Sequence, residues 1–309
     1  MSRFGPIRWL QRVATAVLAL QIVACGGSPP TAAAPSPLED CRGSNATFPT
    51  NPDQGPIQWA SLTVDGKLRG YRLFRPPSLD NTKPSPLVIA LHGSPSNAEQ
   101  MASLAHFDVE ATTGGFIAAY PNGCNGYWSY TETGSKLPDV DFISKLIERL
   151  EAEFRIDKAR IYVVGVSAGS VLTYRLACDL SDRIAAIASV SGAMRPDDCQ
   201  PARPVSVLEM HGTNDCWTGG CPYAVLLGVD ALIQRWRTLD GCTGDPVLSQ
   251  SGITKTSAWK GCKAGTVVRL DTVVGGLHQW YGSDFNPVPG EPDANSVIWN
   301  FFSGLQARA

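Results

Sequence analysis

The sequence predicts an α/β domain built on a mostly parallel sheet with helices on its faces. Three observations predict it. The run PLVIAL at 86–91 is continuously apolar, as a strand buried on both faces requires. Strand-like and helix-like stretches alternate along the chain, the order that yields parallel strands joined by right-handed crossovers. The clearest helical stretch, 142–154, places Phe142, Ile143, Leu146, Ile147, Leu150 and Phe154 at three- and four-residue intervals with charge on the remaining face, so it should cover a sheet.

Taken in order, apolar alternation at 58–64, the Asp65-Gly66 turn and a second run at 71–74 read as a hairpin. The strand at 86–91 follows, then a helix near 98–105 that includes the neighbourhood of His106. Further strands are expected at 116–120, 160–164, 184–190, 205–210 and 267–274, with helical character after 168 and around Asp230. The folded domain is expected over 41–309.

Composition narrows the function classes. Lys plus Arg number 26 against 28 Asp plus Glu, for a net charge of −2, and no basic block occurs. Nucleic acid is therefore not an expected partner. A chain that is 43% hydrophobic and only 17% charged is not disordered, and 30 Gly with 23 Pro point to a loop-rich body.

The amino terminus reads as a targeting segment. Arg3, Arg8 and Arg12 precede a run at 13–24 that is apolar except for Thr15 and Gln21, too short to span a bilayer. An ordinary cleaved secretory signal would have this form. The sequence Ile22-Val23-Ala24-Cys25, however, resembles the bacterial lipobox, which implies cleavage after 24 and lipidation of Cys25. Gly26, with no acidic residue beside it, then favours sorting to an outer membrane. Residues 25–40 are a low-complexity tether, so the expected location is the cell envelope or outside it, with the membrane touched only through the lipid.

Nine cysteines is an odd number in an exported chain. Removing Cys25 as lipid acceptor leaves eight that can all pair in an oxidising compartment. Sequential closure suggests Cys178 with Cys199, Cys216 with Cys221 and Cys242 with Cys262, leaving Cys41 for Cys124. The cysteine and histidine spacings do not favour a metal site, and none is expected.

The chemistry-bearing residues lie at the ends of the expected strands. Gly165-Val166-Ser167-Ala168-Gly169 follows a strand and leads into a helix, the context a nucleophile elbow needs; small residues on either side of Ser167 let the backbone bend sharply. A serine hydroxyl needs a base within reach, and the base needs a partner to fix its tautomer. Of the four histidines only His211 and His278 follow Ser167, and His278 sits in a glycine-rich loop after the last strand. Asp215 follows the strand at 205–210 at its carboxyl edge, where sites on such sheets gather, with Asp271 as the alternative acid. The backbone N–H of Ala168 and Ser94, in the loop after 86–91, are the expected oxyanion donors. His92 is expected to buttress that loop.

These motifs resemble a known family. LHG at 91–93, Gly115-Phe116 with Tyr120-Pro121, GVSAG at 165–169, HGTND at 211–215 and GGLHQW at 275–280 are similar to those of the secreted polyhydroxybutyrate depolymerase-like esterases, a group that includes feruloyl and acetylxylan esterases of the first carbohydrate esterase family. The resemblance implies an α/β-hydrolase fold, the triad Ser167, Asp215 and His278, no cofactor, and small-molecule, oligomeric or polysaccharide-linked ester substrates. Two departures, Ser170 and the stretch 216–221, are expected to reshape the acyl pocket. The chain ends soon after the last motif, so soluble or short-chain esters are expected over crystalline polymer. Tyr127, Trp128, Tyr130, Trp217 and Trp280 lie in loops and are candidates to border the substrate. Two other readings share parts of this pattern. A prolyl-oligopeptidase-type serine peptidase would need an N-terminal propeller, for which the chain offers no room. A lipid-anchored binding protein on a decayed scaffold would not need nucleophile, acid and base in order.

Overall fold

The computed structural model describes residues 39–41, 55–129, 137–195, 199–215, 227–284 and 287–306. Cys25, Trp217, Cys216, Cys221 and Tyr130 lie outside the described residues.

Eleven strands among the described residues form one sheet: β1 (Glu39–Cys41), β2 (Ile57–Val64), β3 (Lys67–Phe74), β4 (Ser85–Leu91), β5 (Ile117–Pro121), β6 (Ile156–Val166), β7 (Ala186–Val190), β8 (Ser206–Gly212), β9 (Val247–Ser251), β10 (Thr254–Trp259) and β11 (Val268–Val273). Their order is β1-β3-β5-β4-β6-β7-β8-β11-β10-β9, with β2 paired to β3. The central path β5-β4-β6-β7-β8-β11 is parallel throughout, and antiparallel pairs occupy the margins. This is the α/β-hydrolase architecture, as the motifs imply.

Burial explains the central strands. Every residue of β4, β7 and β8 is buried, and alternate side chains go to opposite faces. Leu87, Ile89, Leu91, Ile161, Val163 and Val207 face one layer, with α3 (Pro138–Glu153), α4 (Ala168–Asp179) and α5 (Val229–Leu239). Val88, Ala90, Tyr162, Val164, Leu208 and Met210 face the other, with α1 (Ala98–Ala105), α2 (Phe107–Gly114) and α6 (Ala294–Ser303). Helix α3 starts at Pro138, where a missing N–H costs nothing, and buries Phe142, Ile143, Leu146, Ile147 and Leu150.

The structure departs from the sequence reading in three places. His106 is not inside a helix; it adopts a left-handed conformation (φ 48°) that breaks α1 from α2. The β9–β10 hairpin was not expected, because β9 is exposed along its whole length and leaves no apolar signature. β1 adds a short parallel edge strand.

Among the described residues, disulfides join Cys178 to Cys199 and Cys242 to Cys262, as sequential closure suggests, and Cys41 to Cys124, the pair that closure leaves over. The first closes a separation of 83 residues and ties β1 to the loop after β5, so it constrains the unfolded chain most. That loop is held a second time. Arg69 of β3 pairs with Asp139 at the start of α3 and donates to the Asn122 carbonyl, while Asp139 accepts from the Ser129 N–H and hydroxyl.

One buried acid makes stability depend on pH. Asp240 closes α5, and burial pushes its carboxyl up to about 7 against the opposing hydrogen bonds from the Val205 N–H and Thr266. The folded state therefore holds this proton more tightly than the unfolded chain. Its contribution is fully present below pH ~4 and falls by roughly 1 kcal/mol per pH unit until pH about 7. Asp240→Asn, neutral at every pH and still able to accept from Val205, should gain stability relative to the parent as pH rises from 5 to 8. Urea titrations at both pH values check this; a constant difference between the two proteins would contradict it.

Candidate active site

The site is built where the strand order reverses. The chain runs from β4 to β5 on one side and returns to β6 on the other, so the loops leaving the carboxyl ends of β4 and β6 flank a crevice. A Cβ placed on Gly93, after β4, would lie 3.5 Å from the Ser167 Cβ, after β6.

Ser167 makes the turn from β6 into α4 in one residue. Its backbone is at φ 54°, ψ −120°, a region L-residues avoid, and the surroundings hold it there. The Ser167 N–H donates to the Val190 carbonyl at 3.1 Å, and its own carbonyl accepts from Val171 at the start of the helix. The two motif glycines are needed sterically. A Cβ at Gly169 would come within 2.4 Å of the Leu91 and His92 carbonyl oxygens, and one at Gly165 within 2.4 Å of the Gly169 backbone. This close fit lifts the Ser167 hydroxyl out of the sheet edge and leaves the Ala168 N–H at the positive end of α4.

Asp215 and His278 arrive on two loops laced together. After β8, the Asn214 N–H donates to the Gly276 carbonyl at 2.9 Å, and the Thr213 hydroxyl accepts from the Gly275 N–H at 2.8 Å. Beyond His278, the Ser191 hydroxyl donates to the Gln279 carbonyl at 3.0 Å. The result is a chain of contacts. Ser167 Oγ is 2.9 Å from His278 Nε2, and His278 Nδ1 is 2.9 Å from Asp215 Oδ2. The Asp215 carboxylate is fully buried, whereas the imidazole is 38% exposed and so open to substrate and water.

The loop after β4 is braced by His92. Its Nε2 accepts from the Gly123 N–H at 2.9 Å, which fixes the proton on Nδ1, and that N–H donates to the Gly93 carbonyl. Burial pushes His92 down to about 4, so it is neutral at ordinary pH and is not a proton acceptor.

The other candidates fall elsewhere. Trp280 is not at the surface of the site: it is buried against Phe107, and its indole N–H donates to Asn295. Trp128 is also buried; it lies against the His92 ring and donates to the His92 carbonyl at 2.8 Å, so it supports the loop and offers no face to a ligand. Both sit in loops that turn inward, which loop position alone does not reveal. Ser170 is fully buried and hydrogen-bonded to Ser189 behind the elbow. Asp271 lies on β11 and is held by Thr256 and Arg269. Tyr127, by contrast, is 55% exposed on a turn whose Gly126 carbonyl accepts from Ser96.

Two groups beside the site were passed over in the sequence. Glu209, in the middle of β8, and Tyr174, on α4, are buried and hydrogen-bonded to each other. A lone glutamate inside an otherwise apolar strand was the available signal.

Known proteins place the chain. A family model described as esterase PHB depolymerase matches residues 69–211, from β3 through the Ser167 turn to β8. A bifunctional acetylxylan esterase/xylanase of Neocallimastix patriciarum is 32% identical over 150 residues, 48% of this chain and 22% of that protein. Feruloyl esterase B of Piromyces equi is 28% identical over 221 residues, 66% of this chain and 41% of that protein. The chain thus spans less than two thirds of the length of these curated relatives. Among solved structures, an acetyl xylan esterase from Aspergillus awamori superposes with a TM-score of 0.63 at 15% identity, over 81% of this chain and 99% of that one, a likeness of fold. Motifs, family match and relatives agree: over the stretch matched, the chain is similar to the polyhydroxybutyrate depolymerase-like esterases, the group of the feruloyl and acetylxylan esterases.

Proposed function

We propose that the protein is a serine carboxylic-ester hydrolase that works through an acyl-enzyme. The observation that carries this reading is the contact chain from Ser167 Oγ through His278 to the buried Asp215, with both links at 2.9 Å. Those distances suit proton transfer without rearrangement. Ser167 Oγ attacks the ester carbonyl carbon as its proton passes to His278 Nε2, and Asp215 holds the Nδ1–H and the imidazolium charge. The imidazolium then gives its proton to the departing alkoxide. Water repeats the sequence on the acyl-serine, so that ester and water become acid and alcohol with no cofactor.

The carbonyl oxygen turns negative in each half, and donors set in place for it are usually the largest catalytic contribution. The Ala168 N–H is one. Ser94 is the second: its hydroxyl is buried, has no hydrogen-bond partner among the described residues, and follows Gly93, which lies against Ser167.

The relatives named for acetylxylan and feruloyl esters suggest plant-cell-wall esters, with short-chain and hydroxyalkanoate esters as the other candidates. Exposed Tyr127 offers a flat face for an aromatic acyl group or a sugar ring, and Leu277 beside His278 is also exposed. Three disulfides support export, and the lipobox-like segment ending at Cys25 supports a lipid anchor at the cell envelope.

Ser167→Ala should lower p-nitrophenyl butyrate hydrolysis by about 10⁴-fold or more while leaving the thermal transition in place; unchanged turnover would reject the mechanism. For Ser94→Ala, kcat should drop about 10²-fold with little change in KM. Wild-type kcat in that variant would remove Ser94 from the oxyanion site. A panel of methyl ferulate, acetylated xylan, hydroxybutyrate oligomers and solid polyhydroxybutyrate ranks the substrates, and fastest attack on the solid would overturn the preference for soluble esters.

A further inference from the structure

His278 stands in a loop that is neither helix nor strand, so its position depends on what grips the chain on either side. Before the histidine, Gly275 and Gly276 are tied to Thr213 and Asn214, the segment that also carries Asp215. Beyond it, residues 279–282 are tied to 291–295, the lead-in to α6 and its first turn. Gln279 Nε2 donates to Glu291 Oε2 at 2.6 Å, and the Gly282 N–H donates to Glu291 Oε1 at 3.0 Å. The Ala294 N–H donates to the Tyr281 carbonyl, and the Trp280 indole N–H to Asn295 Oδ1, both at 3.0 Å.

Two of these four bonds end on one side chain. Glu291 sets one carboxylate oxygen against the residue next to His278 and the other against the turn three residues further on, so it closes 279–282 from outside. A carboxylate is acceptor-only, which suits two donors arriving from one side, and such bonds are stronger than those between neutral groups. Gln279 depends on it most. That side chain is 5% exposed, and its Oε1 has no hydrogen-bond partner among the described residues, so Nε2 and Glu291 fix it. Glu291 is itself held in place. Its N–H donates to the Val288 carbonyl at 3.0 Å, and Asp293 caps α6, whose Ala294, Ile298 and Phe302 are buried in the core. The lead-in also lies close against the loop: a Cβ on Gly282, at φ 82°, would come within 2.8 Å of the Asp293 Cα.

We propose that Glu291 is a positioning residue for His278. By fixing Gln279 and Gly282 to the lead-in of α6, it holds the imidazole within reach of Ser167 and Asp215 at once. The inference rests on the assignment of Ser167, His278 and Asp215 as the reacting chain. Glu291 touches none of the reacting atoms, and no bond or proton changes there during turnover.

Glu291→Ala removes both acceptors and should lower kcat on p-nitrophenyl butyrate by about tenfold or more with KM nearly unchanged, since small misplacements of a reacting group are costly. The loss should be equal on p-nitrophenyl acetate, because His278 serves every ester alike. Glu291→Gln should recover most of it: the new amide oxygen still accepts from the Gly282 N–H, and the new N–H group donates to Gln279 Oε1 once the Gln279 amide turns over. Gln279→Ala should also lower kcat, and combined with Glu291→Ala it should cost less than the product of the two, since they share a bond. Wild-type kcat in folded Glu291→Ala, a loss carried by KM alone, or no recovery in Glu291→Gln overturns the proposal. If Glu291→Ala does not fold, Glu291→Asp, one methylene too short to hold both donors, and Gln279→Ala decide instead, and wild-type kcat in both overturns it. Amide hydrogen exchange over 277–283, followed by mass spectrometry in Ser167→Ala protein, should quicken with Glu291→Ala and return to the parent rate with Glu291→Gln. Unchanged exchange overturns the hold of Glu291 on the loop, whereas hydrolysis retained by Ser167→Ala overturns the reacting chain, so the two failures are read separately.

Discussion

The backbone of Ser167 is the constraint on which the rest of the site depends. A strand that must become a helix within one residue has few conformations available, and this one sits at φ 54°, where a side chain other than glycine is strained. The strain persists because the surroundings leave no room for relaxation. Gly165 and Gly169 let three backbone segments meet at distances that any Cβ would forbid, and the Val190 carbonyl captures the Ser167 N–H. The same geometry sets the hydroxyl outside the sheet and starts α4 immediately behind it, so the proposed nucleophile and oxyanion donor come from one local decision of the chain.

Around that point the molecule sorts its polar groups by burial. His92 is buried and neutral, and its two nitrogens are occupied in holding the loop after β4. Asp215 is buried and faces two imidazoles. His278 alone of these groups is partly open to solvent. In the proposed reaction the exposed member is the one through which protons pass to leaving group and water, while the groups that only hold position are kept from water, where their hydrogen bonds are less easily exchanged.

Much of this was legible in the sequence because the informative signals were local or few. A continuous apolar run such as 86–91 admits little besides a buried strand, and Gly-x-Ser-x-Gly between strand and helix has one main structural use. With four histidines in the chain, order along the sequence nearly selects His278. What escaped was set by tertiary context. β9 carries no burial pattern because it is an exposed edge. His106 separates two helices through a backbone conformation that its neighbours do not advertise. Trp128 and Trp280 sit in loops, yet their rings turn into the core, where the His92 carbonyl and Asn295 satisfy the indole N–H groups.

The burial of those two tryptophans changes how specificity is to be understood. Large rings near a site are easily taken for substrate platforms, but here they carry the loops that carry the chemistry: Trp128 under the loop after β4, Trp280 two residues beyond His278. Replacing either would disturb the positions of reacting groups before it altered contacts with a substrate, because a ring buried at this density cannot be removed without a cavity. Under the proposed function, selectivity falls to groups whose removal leaves the scaffold intact, such as exposed Tyr127 and Leu277. Tyr127 belongs to a turn already fixed by the Cys41–Cys124 disulfide and the Gly126–Ser96 hydrogen bond, so its ring is presented by an ordered backbone without being enclosed by it. Under the proposed function, a rigid interior with a replaceable rim would let one reacting chain meet esters of different shape, since a change at the rim leaves the distances among Ser167, His278 and Asp215 untouched.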